Sequence, residues 1–311
     1  MTNSPAETVV IMGASGFIGR NLVRNLKPHA ARIVPVSAAG ADVEGLPGHA
    51  FADLGSLQAP PDSIVINVAA YRYDVENFAA GQTEILLRNV EIAGRVYEFC
   101  VSRGITEVRA ASSIAVYPAN DPTFDDAAPL DLNRDPHSGE LMYGWSKRIG
   151  EVYGRLFSEK NGIHTVAFRL TNPYGPFDSV DENKAHVVPA FVIRALTSSG
   201  SFTVRGNPEA SRDFIYIDDV CEIFRRSLAW RARGGAYNLG SGNNSSVRQL
   251  AKTVLELTGS EREIVAQGAA TSAVVHRYCR NDRLRADFGM EKFTALAEGL
   301  KPTIAWYRDA L

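Results

Sequence analysis

Tyr143 and Lys147 stand four residues apart in the run Tyr143-Gly144-Trp145-Ser146-Lys147. On a helix that spacing puts both side chains on one face, a turn apart. A free tyrosine, with a pKa of about 10, is a poor base at neutral pH. A neighbouring ammonium favours the phenolate, and the pair then becomes a usable acid/base. Taken alone, the same two residues read at least as well as an ordinary helix-surface pair. A hydroxyl comes from Ser112-Ser113-Ile114-Ala115-Val116-Tyr117, which follows a strand pattern and sets a serine at its end. Near the start lies Val9-Val10-Ile11-Met12-Gly13-Ala14-Ser15-Gly16-Phe17-Ile18-Gly19. Here an apolar strand turns through spaced glycines into a helix. Gly13 permits the turn, Gly16 leaves room for a pyrophosphate, and Gly19 lets helix and strand pack closely. The helix N-terminus then offers unpaired N–H groups to the anion. A plain glycine-rich turn would look the same in isolation. Strand-end serine, Tyr-x-x-x-Lys and glycine loop together are far more specific than any one of them.

The elements that must position these groups follow in order. Strands are expected at Arg32-Ile33-Val34-Pro35-Val36-Ser37, at Ser63-Ile64-Val65-Ile66-Asn67-Val68-Ala69-Ala70, at Glu107-Val108-Arg109-Ala110-Ala111-Ser112-Ser113 and at His164-Thr165-Val166-Ala167-Phe168-Arg169-Leu170. Phe51-Ala52-Asp53-Leu54 reads as the end of a further strand. Helices are expected at 81–103 and from Tyr143 toward Lys160, with a Pro- and Asp-rich loop between Pro118 and Pro136. This alternation predicts a doubly wound α/β fold, a parallel sheet with helices on both faces. Ligands then bind at the strand C-termini, where strand order reverses. Beyond Thr171 the alternation weakens. Phe214-Ile215-Tyr216-Ile217 and Ala236-Tyr237-Asn238-Leu239 read as strands returning to the main sheet or its edge. A helix is expected after Ser246, capped by Ser245 or Ser246. A last one is expected over 301–311, with Pro302 in its first turn. Residues 1–171 with 213–240 would form the main domain, and 172–212 with 241–311 a smaller, partly discontinuous one.

Composition excludes several classes. The 311-residue chain has a formal net charge of −2, which gives no general pull toward nucleic acid or anionic membrane. Cys100, Cys221 and Cys279 are far apart, so neither a disulfide framework nor a metal site is expected. No apolar run is long enough to span a bilayer and no basic n-region opens the chain. A soluble cytoplasmic protein is the expectation.

The chain resembles the extended short-chain dehydrogenase/reductases, in particular the NAD-dependent epimerase/dehydratase group that acts on nucleotide sugars. The resemblance spans nearly the whole chain. It rests on Gly13 to Gly19, Asn67-Val68-Ala69-Ala70, Asn89, Ser112 to Tyr117, Tyr143 to Lys147 and Arg169-Leu170-Thr171-Asn172-Pro173-Tyr174-Gly175-Pro176. It continues through Arg212-Asp213-Phe214-Ile215-Tyr216-Ile217-Asp218-Asp219-Val220 and Tyr237-Asn238-Leu239-Gly240-Ser241-Gly242. It implies a Rossmann domain, and it implies roles. Tyr143 would be the acid/base, Lys147 the holder of the nicotinamide ribose, and Ser113 the hydrogen-bond partner of the reacting sugar oxygen. Cofactor contacts would come from Gly13, Ser15, Gly16, Phe17, Ile18, Gly19, Ser37, Asp53, Leu54, Ala69 and Asn89. Substrate contacts would come from Ser113, Asn172, His186, Val187 and Arg212, with Arg212 on the pyrophosphate, which its fork suits.

Departures from the family patterns narrow the reaction. Dehydratases of this group carry an Asp-Glu pair after the catalytic hydroxyl residue; here stand Ile114 and Ala115. The fucose-synthase type places a Cys where this chain has Ala115, although His186 has a similar setting. What remains is hydride transfer at one carbon, in a C4 epimerase or, close behind, an NADPH-dependent 4-ketoreductase. From another class comes a non-catalytic dinucleotide-binding regulator, disfavoured because Tyr143 and Lys147 are both present. Ser37-Ala38-Ala39-Gly40 lacks an acid for a ribose 2′-OH and an arginine for a 2′-phosphate, so both NAD and NADP stay open. Arg20 and Arg32 are not obviously placed for either. The helices at 82–103 and 143–160 are expected to pair in a homodimer. Sugar choice is expected around Tyr71-Arg72-Tyr73 and from Val180 to His186. Arg277, Arg280 and Arg283 all qualify for a further pyrophosphate contact.

Overall fold

The computed structural model describes residues 8–71, 80–118, 121, 123–136, 140–267 and 278–311. Its frame is a seven-stranded sheet, parallel throughout. In chain order the strands are β1 (Thr8–Met12), β2 (Arg32–Ser37), β3 (His49–Ala50), β4 (Ile64–Asn67) and β5 (Glu107–Ser113). After the two-residue β6 (Thr123–Phe124) come β7 (His164–Leu170), β8 (Asn172–Tyr174), β9 (Phe202–Arg205), β10 (Ser211–Tyr216) and β11 (Gly235–Leu239). The sheet runs β3-β2-β1-β4-β5-β7-β11, so its order reverses between β1 and β4.

Residues along β1 alternate between two cores. Val9 and Ile11 join the apolar cluster on one face with Leu22, Val23 and Leu26 of α1 (Phe17–Leu26). Val10 and Met12 join the other, with Val96, Phe99 and Cys100 of α2 (Gln82–Arg103). A strand buried on both faces must be apolar at every position, which is why β1 reads as an unbroken hydrophobic run. α3 (Leu141–Asn161) packs on α2. Tyr97 stacks on Phe157 at 4.9 Å between ring centroids. Both helices end at left-handed glycines, Gly104 and Gly162, where a side chain would strain the cap.

The remaining elements complete the chain. They are α4 (Val187–Thr197), α5 (Ile217–Ser227), β12 (Asn244–Ser246), α6 (Val247–Thr258), β13 (Ile264–Gln267), β14 (Tyr278–Cys279), α7 (Asp282–Phe288) and α8 (Leu296–Ala310). β8, β10 and β12 make a separate three-stranded sheet, and β9 pairs with β13. Here expectation and structure part. Phe214 to Tyr216 do form a strand, but in the small sheet beside Asn172–Tyr174 rather than in the main one. Only β11 joins the main sheet, at its edge. Ile217 opens α5, which packs back on α1. Phe51–Asp53 is a single 3-10 turn, because β3 ends at Ala50. α8 begins at Leu296, so Pro302 lies inside the helix rather than in its first turn.

Ser246 caps α6, its Oγ accepting from the Gln249 N–H at 3.0 Å. Ser246→Ala is expected to cost about 1 kcal/mol in chemical denaturation. An unchanged midpoint would show that the cap contributes nothing. The three cysteines are buried free thiols. Among the described residues no helix is long and apolar enough to cross a membrane, and no cluster of His, Cys, Asp and Glu could hold a metal ion.

Candidate active site

The glycine loop sits at the reversal of strand order. Gly13 has φ +85°, and a Cβ there would lie 2.7 Å from the backbone N and Cα of Ala69. The turn after β1 therefore touches the chain leaving β4, and only a glycine fits the contact. Gly13 and Ala14 donate their N–H groups to the Val36 carbonyl of β2 at 2.8 and 2.9 Å. A Cβ on Gly19 would fall 2.1 Å from the Gly13 oxygen. Gly16 differs from both. Its φ is −76°, and a Cβ would meet only the Gly13 oxygen, at an ordinary 3.4 Å. Nothing inside the fold demands a glycine there. Gly16 and Ser15 are exposed, and α1 starts with no side-chain cap and no acid in its first turn, at Phe17 and Ile18. This cradle fits a dinucleotide pyrophosphate.

Around it, Ser37 is buried at the end of β2, and its Oγ accepts from the Ala41 N–H at 3.2 Å. Both acids in the following loop are engaged. Asp42 accepts from the Gly48 N–H at 3.0 Å, and Glu44 takes Arg20 at 2.6 Å and Arg24 at 3.4 Å. Arg20 is thus turned onto Glu44 and over the Phe177 ring, while Arg32 lies at the opposite end of β2 from Ser37. Asp53 is exposed in the turn after β3, with Leu54 buried behind it. Asn89 of α2 accepts from the Tyr71 N–H at 3.0 Å and donates to the Ile85 carbonyl at 2.8 Å, fastening the chain that leaves β4.

β5 and α3 bring the serine, tyrosine and lysine together. Ser113 ends β5, and its Oγ accepts from the Ala115 N–H at 3.1 Å, capping the 3-10 turn Ile114–Val116. Gly144, next to Tyr143, packs on that turn. A Cβ there would lie 2.6 Å from the Ala115 carbonyl oxygen. Arg148, fully buried, donates from Nε to the Val116 carbonyl at 2.7 Å and holds the same turn. Lys147 donates to the Ala111 carbonyl of β5 at 2.9 Å, with its Nζ 5.5 Å from the centre of the Tyr143 ring. Burial pushes the Lys147 pKa down to about 8, and Glu151 works against that shift.

Glu151 was not singled out by the sequence reading, although it stands one further turn along the helix from Lys147. It accepts from the Ser112 hydroxyl at 2.6 Å and takes both arms of Arg169, at 2.9 and 2.7 Å. Arg169 in turn donates to the Tyr117 hydroxyl at 2.8 Å, and Tyr117 donates to Asn238 at 2.7 Å. Burial opposes the Arg169 charge, but its bonds to Glu151 outweigh it and raise its pKa.

On the other side, Asn172 of β8 donates to the Asp213 carbonyl at 2.9 Å. Asp213 is buried, which raises its pKa; the Ser241 and Gly242 N–H groups and the Ser241 hydroxyl bond its carboxylate and oppose that. Among the described residues Arg212 is exposed, donates to the neighbouring Ser211 carbonyl at 2.9 Å and pairs with no carboxylate. The other arginines are committed. Arg280 takes Asp282 at 2.9 Å and Asp125 at 3.5 Å, and Arg283 takes Asp126 at 3.5 Å. His186, just before Val187 opens α4, keeps its side chain 68% exposed with Nδ1 3.3 Å from Asp178. Arg72, Tyr73 and Arg277 lie outside the described residues.

Comparison with known proteins identifies the family. Residues 9–240 match the sequence model of the NAD dependent epimerase/dehydratase family. A dTDP-4-dehydro-6-deoxy-D-allose reductase of Streptomyces sp is 25% identical over 322 aligned residues, covering 97% of this chain and 96% of the relative. MoeE5, solved with UDP-glucose and NAD, is 27% identical with a TM-score of 0.80, covering 98% of this chain and 99% of its own. The UDP-glucose 4-epimerase of Thermotoga maritima is 24% identical and shares the fold, with a TM-score of 0.81 over 97% of this chain and 99% of its own. A glycine cradle at the strand-order reversal, and a Tyr-x-x-x-Lys helix beside the serine that ends β5, therefore belong to a member of the NAD dependent epimerase/dehydratase family.

Proposed function

We propose that this protein is an NAD(P)-dependent nucleotide-sugar epimerase, an isomerase that moves a hydride transiently at one sugar carbon, C4. The carrying observation is the Tyr143–Lys147 pair on α3, packed through Gly144 against the turn that Ser113 caps. Directly after Ser113 stand Ile114 and Ala115, which transfer no protons, so the site is built for redox at one carbon rather than for dehydration or two-base epimerisation. The bound nicotinamide would accept and return the hydride. Tyr143 takes the proton of the sugar hydroxyl and later gives it back. Ser113 keeps its own proton to donate to the same oxygen. Lys147 holds the nicotinamide ribose and favours the Tyr143 phenolate.

The cofactor lies along Gly13, Ser15, Gly16, Phe17, Ile18 and Gly19, with Ser37, Asp53, Leu54, Ala69 and Asn89 around it. Asn172 and Arg212 meet the substrate pyrophosphate, and His186 and Val187 border the sugar. Residues 1–171 with 213–240 carry the cofactor, and 172–212 with 241–311 the substrate. The outer faces of α2 and α3, which expose Leu87 and Leu156, form the homodimer contact of a cytoplasmic enzyme.

A second reading, an NADPH-dependent reductase of a nucleotide-linked 4-keto sugar, draws support from the name of the Streptomyces relative. The acids after β2 are also drawn away from Ser37. One experiment separates the two. Proton NMR of nucleotide hexoses with the enzyme is expected to show interconversion with no net consumption of reduced nicotinamide. Stoichiometric loss of NADPH absorbance with a 4-keto sugar nucleotide, and no interconversion, would replace the epimerase with the reductase. Neither reaction, with cofactor bound, would leave the non-catalytic regulator.

A further inference from the structure

Behind Lys147 the space between the sheet and the two long helices is lined by polar groups. Asn67 comes from β4, Asn89 and Tyr97 from α2, Ser112 from β5, Glu151 from α3 and Thr165 from β7. Most of these are paired with neutral groups. Tyr97 bonds Thr165 at 3.2 Å, and Asn89 holds Tyr71 and Ile85. One charge bears on the ammonium from this side, the Glu151 carboxylate, which is itself paired with the Arg169 guanidinium. Glu151 is therefore more than a bracket between α3, β5 and β7. It lies four residues beyond Lys147 on the same helix face and lines the same cavity.

We propose that Glu151 is the positioning residue of the catalytic lysine: it fixes α3 against β5 and β7 and supplies the counter-charge that keeps the Lys147 ammonium in place under Tyr143. The inference rests on the reading that Lys147 holds the nicotinamide ribose. The physics runs in two opposite directions, which makes it testable. Taking the charge from Glu151 removes the counter-charge from Lys147, so the ammonium is easier to lose. Neutralising Arg169 instead leaves the full carboxylate charge to Lys147, so the ammonium is harder to lose. A bracket without electrostatic role would respond alike to both changes, since each breaks the same bridge. The titratable or charged groups that line this cavity with Lys147 are Glu151 on α3 and Tyr97 on α2; the Tyr143 ring centre is 5.5 Å from the ammonium, and Arg169 on β7 pairs with Glu151. Burial pushes the Tyr97 hydroxyl further from ionisation, so it stays neutral across the range tested.

NADH binding, followed by nicotinamide fluorescence as pH is raised from about 6 to about 10, reads the ammonium directly. With the native protein, affinity is expected to fall as Lys147 loses its proton. Glu151→Gln is expected to move the fall to lower pH, giving about threefold weaker binding than native midway between the two transitions and about tenfold above both, for one unit of displacement. Arg169→Gln is expected to move it to higher pH. Shifts of the same sign, or no shift in either variant, would overturn the proposal. If Glu151→Gln does not fold, the direction of the Arg169→Gln shift decides alone: upward supports it, downward or none overturns it. Lys147→Met controls the underlying reading. If it binds NADH as tightly as native protein at neutral pH, Lys147 does not hold the ribose. If it binds weakly while the Glu151 and Arg169 variants keep the native pH profile, the reading stands and the proposal for Glu151 falls.

Discussion

Tyr143→Phe is expected to lower turnover by about 10²–10⁴-fold while cofactor affinity and melting temperature stay at native values. The substitution is nearly isosteric. The ring remains where Lys147 approaches it, 5.5 Å from the centroid, so the helix face and its cation contact persist. What disappears is the hydroxyl that accepts and returns the proton. On the proposed reading cofactor binding draws on the glycine loop, α1 and Lys147, none of which the change touches. Hydride transfer from a sugar carbon whose hydroxyl cannot shed its proton would have to leave a protonated carbonyl, and on the proposed reading no neighbour relieves it: Ser113 donates, while Ile114 and Ala115 are inert. The measurement is single-turnover reduction of bound NAD by a nucleotide hexose, with dinucleotide affinity measured alongside. Native activity in the Phe variant would remove Tyr143 from the chemistry altogether. A loss of dinucleotide binding together with activity would mean that the hydroxyl holds the cofactor rather than the proton.

The parts of this site that could be read from the sequence are the ones fixed by local geometry. Gly13 and Gly19 are dictated by contacts within a few residues of one turn, or with the next parallel strand, and such requirements leave a short motif. Tyr143 and Lys147 are legible because a helix converts a spacing of four into a shared face. The limits of strands β2, β5 and β7 could be read to the residue, because short β-prone stretches stand there between loop and turn residues. The small sheet was not legible. Phe214 and Ile215 are as apolar as any central strand, and nothing local says that they pair with Asn172 and Pro173 rather than with Ala236 and Tyr237. That choice is made by the chain leaving β7, which turns into β8 instead of a helix. Glu151 escaped for the opposite reason. Its spacing from Lys147 is the same i, i+4 rule that singled out the pair, but its meaning comes from Ser112 and Arg169, 39 and 18 residues away in the chain. Arg280 and Arg283 looked as available as Arg212 until the fold brought Asp125 and Asp126 beside them.

Gly13→Ala and Gly16→Ala are expected to fail in different ways, and the contrast tests whether the loop is built for a ligand. At Gly13 an alanine must hold φ near +85°, which costs about 1–2 kcal/mol in the left-handed region. Its Cβ would also overlap Ala69 at 2.7 Å, and relieving that adds about 1–3 kcal/mol of overpacking. The overlap is with backbone on both sides, so β1 and β4 would have to spread where the strand order reverses. Gly13→Ala should therefore lower stability in chemical denaturation whether or not cofactor is present. At Gly16 the backbone is already in a region open to every residue, and the added methyl meets one oxygen at 3.4 Å. The cost to the fold should stay under about 1 kcal/mol, the range of a helix N-cap change. The methyl would instead stand over the exposed start of α1, where on the proposed reading the pyrophosphate would meet bare N–H groups. NADH and NADPH affinity should then fall by at least about tenfold, or 1.4 kcal/mol. Stability and affinity would thus separate at two glycines three residues apart. A Gly16→Ala protein that binds dinucleotide as tightly as native would show that the space beside Gly16 is not where the phosphates lie. The cradle would then be a packing feature of β1 and α1 that the family motif happens to share.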